Sequence, residues 1–128
     1  MPTKKLGEVA FNLIGDDFEP GAQGNADIDY LLGHDTIHFD GQAVRSEKYG
    51  CLEAPDYCND AEIVLAELKK IGIDPIILPA RSNTDDNQRK TFVAVFQSDG
   101  ETYLTRPFAT DTLALACVLW YVFFYLKQ

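Results

Sequence analysis

The sequence predicts an α+β fold: a small antiparallel sheet of three or more strands packed against a long apolar C-terminal helix and one or two further helices. The first observation behind this prediction is residues 113–126, an apolar run without charge, glycine or proline. A membrane span needs about 20 apolar residues, so this run fits a buried helix better than a tail anchor. The second observation is the order helix, strand, strand, strand, helix over residues 55–128, which favours an antiparallel sheet with the last helix laid across it.

The first 24 residues carry weaker signals. Apolar residues in segment 3–15 follow helical spacing, which predicts a helix, although the alternation of Val9, Phe11 and Leu13 also suits a strand. Proline and glycine residues then predict a loop over residues 16–24. The apolar residues of the predicted helix are Leu6, Val9, Ala10, Leu13 and Ile14.

The next elements are short. Asn25 is predicted to cap a helix that ends at Gly33. Asp40-Gly41 is a type I′ turn signal, and it predicts a hairpin between the strands on either side. Residues 45–58 show no clear period and are predicted to be irregular.

The second half begins with a clearer helix. Asn59 with Glu62 three residues later is typical of a capping box and predicts the start of this helix, while Gly72 predicts its end. Pro75 and Pro79 place the strand predicted over residues 73–78 at an edge of the sheet, because proline has no N–H to donate to a neighbouring strand. The apolar stripe of the helix consists of Val64, Leu65, Leu68 and Ile71.

The strongest strand prediction covers residues 91–97. This strand is apolar on both faces, so both faces are expected to be covered. Asp99-Gly100 turns the chain into a strand at residues 101–105. Thr110 is a good N-cap for the C-terminal helix, which is predicted to run from residue 111 to residue 126.

The excess of negative charge lies entirely in the first half of the chain. The net charge is −9; residues 1–62 hold 13 Asp and Glu against 4 Lys and Arg, whereas residues 63–128 hold 7 of each. We expect one domain over residues 1–128, with an acidic, less regular half at 1–50 and an α-β-β-β-α core at 55–128. Such a surface repels nucleic-acid phosphate and suits a basic protein partner. The alternative is that the charge serves only solubility.

No group of residues in the sequence has the spacing expected of a catalytic site or a metal site. His34 and His38 with Cys51 and Cys58 are the only residues of zinc-ligand type, but six residues separate the two cysteines, which is loose for zinc. No glycine-rich turn surrounds a cysteine as it would around a nucleophile. We therefore predict no enzyme activity, no cofactor and no metal. The odd number of cysteines and the lack of a signal-peptide pattern predict a cytoplasmic protein without a membrane anchor.

Two groups of residues are candidates for binding. The acidic residues predicted to contact a partner are Asp16, Asp17, Glu19, Asp27 and Asp29. The aromatic residues of the C-terminal helix predicted to mediate self-association, if the chain forms a homodimer, are Trp120, Tyr121 and Phe124.

From Pro55 onward the chain resembles the small phage proteins of the NinX type, a family of unknown function. The resemblance covers about 70 residues. It consists of the Asn/Asp-rich turn Pro55-Asp-Tyr-Cys-Asn-Asp60, the helix and strand that follow, the hairpin of residues 91–105, and a helix that opens just after Pro107. It implies a phage or prophage origin and an accessory role, and it supplies no catalytic residue.

These observations predict a non-enzymatic phage-type accessory protein that acts by binding. Its acidic half would block a basic surface on a host protein that handles nucleic acid or acts in defence, as an anti-CRISPR protein does, in the host cytoplasm. An immunity protein that neutralises a basic toxin would show the same size and acidity. A small enzyme that depends on Cys58 and His38 is the hypothesis from another class.

Overall fold

The computed structural model describes residues 11–80 and 90–127, and within them the chain forms three α-helices and two β-sheets. The α+β class predicted from the sequence is confirmed. In chain order the elements are β1 (Asn12–Ile14), α1 (Ala22–Leu31), β2 (Thr36–Phe39), β3 (Gln42–Glu47), β4 (Gly50–Glu53), α2 (Ala61–Lys70), β5 (Ile76–Ala80), β6 (Thr91–Ser98), β7 (Glu101–Thr105) and α3 (Asp111–Tyr121), which continues into a π-helical turn (Val122–Leu126).

The larger sheet has the strand order β1-β7-β6-β5. Strands β5, β6 and β7 pair antiparallel, as predicted, and β5 lies at an edge. Strand β1 pairs parallel with β7, which was not foreseen. The inner face carries the buried Ala94, Phe96 and Tyr103 under α3. On the outer face Val93 and Val95 are half-buried, and no helix of the described ranges packs there, so the cover expected on that face is not seen within those ranges.

Helix α3 is the centre of the larger core. Thr110 caps it by accepting a hydrogen bond from the Leu113 N–H (3.1 Å), and every residue from 114 to 120 is buried. A helix that is apolar on all sides can be covered here because the sheet lies on one side while α1 and α2 contact it as well. No helix within the described ranges is both long and apolar enough to cross a bilayer.

The smaller sheet contains β2, β3 and β4 in that order, all antiparallel. The predicted hairpin is confirmed, and Asp40 and Gly41 both have positive φ angles, 52° and 75°, as a type I′ turn requires. The prediction that residues 45–58 are irregular is wrong for residues 45–53, since β3 extends to Glu47 and β4 follows it, and is confirmed for residues 54–58. All four residues of β4 are exposed, so it has no buried face that a hydrophobic pattern could report.

The N-terminal predictions need correction. Residues 12–14 form β1 instead of a helix, and the earlier part of that prediction, residues 3–10, lies outside the described residues. Helix α1 begins at Ala22, so Asn25 is inside it and is not its cap. Gly24 occupies its first turn because a Cβ there would stand 2.4 Å from the Glu19 carbonyl oxygen. The cap of α2 is Asp60, one residue after the predicted Asn59.

The cap of α3 can be tested with two neighbouring threonines. Replacing Thr110 with Ala removes the acceptor of the Leu113 N–H and should lower the free energy of unfolding by about 1 kcal/mol. The Thr112 hydroxyl donates to Asp111 at the surface (3.3 Å), so Thr112→Ala should change the free energy of unfolding by less than about 0.5 kcal/mol. Urea denaturation measures both values, and equal losses would show that the cap is not important.

Candidate functional site

The loop between β1 and α1 presents the exposed carboxylates of Asp16, Asp17 and Glu19. Two residues of the same loop fix its path. Phe18 is buried, with its ring 5.4 Å from that of Trp120. Gly15 has a φ of 105°, and a Cβ there would stand 2.9 Å from the Cys117 sulfur, so only glycine lets the loop lie this close to α3. Because the Phe18 side chain points into the core, the neighbouring side chains of Asp16, Asp17 and Glu19 point into solvent.

Arg106 holds the backbone of this loop. Its Nε donates to the Gly15 carbonyl oxygen (2.8 Å) and its Nη2 donates to that of Phe18 (3.2 Å). Its guanidinium also lies 4.3 Å from the centre of the Phe108 ring, a cation–π contact. The hydrogen bonds of this cation therefore go to backbone oxygens and not to the loop carboxylates.

The end of the C-terminal helix reaches the same loop. Residues 122–126 form a π-helical turn, closed by the hydrogen bond from the Lys127 N–H to the Val122 carbonyl oxygen (2.8 Å). The Tyr125 hydroxyl donates to Asp17 at 2.6 Å, and this hydrogen bond raises the pKa of Tyr125. Phe124 and Tyr125 are 43% and 47% exposed, with ring centres 4.7 Å apart. Such π-helical turns are rare and are found frequently at functional sites.

Five residues thus form one exposed surface, which we call the acidic–aromatic surface. It combines three carboxylates with two aromatic rings, and a hydrogen bond joins the two parts. Its members are Asp16, Asp17, Glu19, Phe124 and Tyr125. Tyr125 was missed at the level of sequence, although a hydroxyl at the end of an apolar run normally has a polar partner and could have drawn attention to it.

Some of the predicted binding residues are not available to a partner. Asp29 is fully buried and Trp120 is buried as well, so neither provides the surface contact expected of it. Asp27 is half-buried and accepts a hydrogen bond from Gln23 (2.8 Å), and Tyr121 is half-buried between other rings. Of the predicted contacts, Asp16, Asp17, Glu19 and Phe124 are exposed.

Asp29 instead joins α1 to the smaller sheet. One carboxylate oxygen accepts from Arg45 Nη2 (2.6 Å) and the Tyr57 hydroxyl (2.7 Å), and the other accepts from Arg45 Nε (2.9 Å) and the Thr36 hydroxyl (2.6 Å). The ion pair is bidentate, the strongest arrangement for a guanidinium and a carboxylate. It fixes β2 and β3 against α1 and against the segment that precedes α2.

The pKa of Asp29 reflects these contacts. Burial acts to raise the pKa, but the hydrogen bonds from Arg45, Thr36 and Tyr57 and the positive charge of Arg45 outweigh it and lower the pKa to about 2. Burial and the hydrogen bond to Asp29 raise the pKa of Tyr57. Asp29 is therefore ionised, and Tyr57 remains a donor, throughout the physiological range.

The two buried cysteines, Cys58 and Cys117, are not reactive thiols. Burial raises the pKa of Cys58 to about 11 and that of Cys117 to about 12, so both thiols are protonated and unreactive at neutral pH. His34 and His38 are exposed. In the parts of the chain that the structure covers, no three His, Cys, Asp or Glu residues lie close enough together to hold a metal ion.

A cleft of about 250 Å³ lies between the start of α1 and the smaller sheet. Glu53 and Asp56 contribute carboxylates to it, and Asp56 already accepts hydrogen bonds from Asn25 (2.9 Å) and Asn59 (3.0 Å). The start of α1 would attract an anion, whereas the two carboxylates would repel it. The cleft therefore favours neither an anion nor a cation.

The importance of the buried ion pair can be tested with Arg45→Met. The variant leaves the Asp29 carboxylate buried without its cation, and the free energy of unfolding should fall by about 3 kcal/mol. Lys48→Met removes an exposed positive charge near the same sheet and should change it by less than about 0.5 kcal/mol. Chemical denaturation at pH 7 measures both, and similar small losses would contradict a structural role for the pair.

The same pair predicts a pH dependence. Because the pKa of Asp29 is about 2 in the folded protein and about 3.9 in an unfolded chain, its contribution is fully present above pH 4 and is lost as the pH falls from about 4 to 2. The contribution is on the order of 2 kcal/mol. Unfolding at a series of pH values should show this loss in the natural chain and not in Asp29→Asn. Parallel acid curves for the two proteins would rule it out.

Comparisons with protein-family profiles, with curated proteins and with solved structures find no match for this chain. The resemblance of residues 55–128 to the NinX-type proteins therefore stays a prediction.

Proposed function

We propose that this chain is a non-enzymatic binding protein whose acidic–aromatic surface attaches to a basic surface of another protein. The observation that carries the proposal is the hydrogen bond from Tyr125 to Asp17, which joins two exposed aromatic rings to three exposed carboxylates. Acidic residues on a solvated loop are common and by themselves mean little. A rare helical turn that places rings beside them is the feature that favours a contact surface.

The chemistry of the surface fits arginine and lysine side chains. A guanidinium can bind a carboxylate through two hydrogen bonds and stack on an aromatic ring at the same time, and both partner groups are present within this surface. Tyrosine and arginine are also enriched among the residues that dominate binding energies. The net charge of −9 adds long-range attraction for a basic partner and repels nucleic acid.

The partner class that fits this chemistry is a protein with a basic nucleic-acid-binding surface. In combination with the predicted phage-type origin, we propose an accessory protein that inhibits a host nucleic-acid-handling or defence protein, in the manner of an anti-CRISPR protein. Binding would occupy the groove that otherwise holds nucleic-acid phosphates. An immunity protein would use the same surface against a basic toxin, and the identity of the captured partner separates the two.

The proposal is tested by capture from bacterial lysate with a charge-neutral variant, Asp16→Asn, Asp17→Asn and Glu19→Gln together. A specific partner should bind this variant about tenfold more weakly than the natural chain, because three contact charges are lost. The control removes three exposed charges elsewhere, Asp35→Asn, Glu62→Gln and Asp74→Asn, and should retain the partner. Phe124→Ala should weaken binding as well.

Nuclease or helicase activity of the captured partner, with and without the chain, then measures inhibition. Binding should weaken between about 0.05 and 0.5 M salt, because exposed charges are screened. A partner that binds the two triple variants equally well would overturn the assignment of the surface. A captured partner whose activity is unchanged would overturn the role as an inhibitor.

A further inference from the structure

Strand β4 is an edge of the smaller sheet, because it pairs with β3 alone. Along an antiparallel edge strand, successive residues direct their N–H and C=O groups inward and outward in turn. The Ala54 N–H donates to the Ala43 carbonyl oxygen (2.9 Å), and this bond fixes which residues point inward. Two residues earlier Leu52 bonds to β3 in the same way, so Cys51 and Glu53 direct their backbone groups away from the sheet. These two residues offer a donor and an acceptor each.

The outward groups of β4 are accessible within the part of the chain that the structure describes. All four residues of the strand are exposed, and β3 is the element against which β4 packs. Apart from β3, no described residue forms a hydrogen bond with the backbone of Cys51 or Glu53. The opposite edge differs, since β2 begins at Thr36, which is buried. The open edge of this sheet is therefore β4.

The strand lacks several features that normally prevent an edge from pairing with another chain. Natural sheets use proline, lysine or a bulge for this purpose. Strand β4 contains neither proline nor lysine, and its register with β3 runs without a bulge over four residue pairs. It does have short length, which limits a partner to about four paired residues. It also carries one charge, that of Glu53, which decides the kind of strand that can pair with it.

The carboxylate of Glu53 favours a basic strand. Its residue is exposed, and the cation nearest to it in the sheet, Arg45, is already paired with Asp29. A second copy of β4 would bring more negative charge to a chain that carries −9. A lysine or arginine opposite Glu53 would instead form a cross-strand pair of opposite charges, which stabilises strand pairing.

We propose that β4 binds an extended basic segment of another protein as a fourth strand of the smaller sheet. The backbone of the segment bonds to Cys51 and Glu53, and its lysine or arginine lies opposite Glu53 on the face that also carries Val44. The next side chain of the segment lies on the other face beside Leu52, where a β-branched residue fits best. In such contacts the backbone bonds supply affinity and the alternate side chains supply specificity.

This contact goes beyond the proposed function and shares no residue with the acidic–aromatic surface. That surface uses side chains of a loop and a helix end, whereas β4 uses the backbone of a strand. A short synthetic peptide measures binding to β4 without any natural partner, so the two proposals can fail separately.

The probe is the peptide Lys-Val-Lys-Val-Lys-Val-Lys with both ends blocked, added to the full-length chain and followed by NMR. We expect a dissociation constant on the order of 0.1 to 1 mM, since few residues pair. In the free chain the amide hydrogens of Cys51 and Glu53 should exchange with solvent faster than that of Leu52, which bonds to β3. Peptide at about ten times the dissociation constant should slow exchange of the first two about tenfold.

Two pairs of variants separate backbone pairing from charge. Cys51→Pro removes an outward N–H without removing a bond to β3 and should weaken binding about fivefold, whereas Cys51→Val keeps that N–H and should bind as the natural chain does. Glu53→Lys should weaken binding about tenfold. Glu62→Lys makes the same change at an exposed position of α2 and should weaken binding less than about threefold. A peptide with N-methyl groups on alternate residues tests backbone pairing without altering the protein, and it should not bind to β4.

Slow exchange of Cys51 and Glu53 in the free chain would overturn the inference, because the chain itself would then occupy the edge. Absence of peptide binding, or binding that neither Cys51→Pro nor N-methylation weakens, would overturn it as well. Binding that is lost in the variant Asp16→Asn, Asp17→Asn and Glu19→Gln would place the peptide on the acidic–aromatic surface and would also overturn it. If the proposed function fails, the exchange rates at β4 should remain as expected here.

Discussion

The buried carboxylate of Asp29 determines how the smaller sheet attaches to the rest of the molecule. Among the described residues the apolar cluster at that junction consists of Ala26, Ala43 and Ala54, and three methyl groups bury little apolar surface. The four hydrogen bonds that Asp29 accepts supply the specific geometry instead. A buried ion pair often adds little net stability. It does disfavour other positions of the smaller sheet, because a shift of the sheet would leave a buried charge without its partner.

The larger core is held together by apolar packing and not by a buried ion pair. Helix α3 is apolar on every side, and it is stable in water only because the sheet, α1 and α2 all lie against it. Phe18 extends this core into the loop before α1, so the packing of an aromatic ring fixes the backbone that carries the neighbouring carboxylates. The position of the acidic loop thus depends on the hydrophobic interior beneath it.

Much of the fold could be predicted because its signals are local. The period of two in β6, the turns at Asp40-Gly41 and Asp99-Gly100, and the cap at Thr110 each depend on a few neighbouring residues. Strand β1 could not be predicted in this way. Three residues carry too short a pattern, and their parallel pairing with β7 depends on a strand about 90 residues later in the chain.

The candidate site likewise combines residues that local signals identify with residues that only long-range contacts bring together. The sequence identified Asp16, Asp17 and Glu19 because charge and a loop signal coincide there. It grouped Asp29 with them because a carboxylate looks the same whether or not Arg45 lies opposite, and only the fold brings these two side chains together. Tyr125 belongs to the surface because a π-helical turn directs its hydroxyl to Asp17, a contact between residues 108 positions apart.

That separation has a consequence for biosynthesis. Strand β1 and the loop after it leave the ribosome early, but the groups that hold them, β7, Arg106 and Tyr125, are translated late. Contacts between such distant parts of a chain form slowly and only after the intervening segments have been made. A nascent or prematurely truncated chain would therefore lack the binding surface even if α1 and the hairpin beside it had already folded.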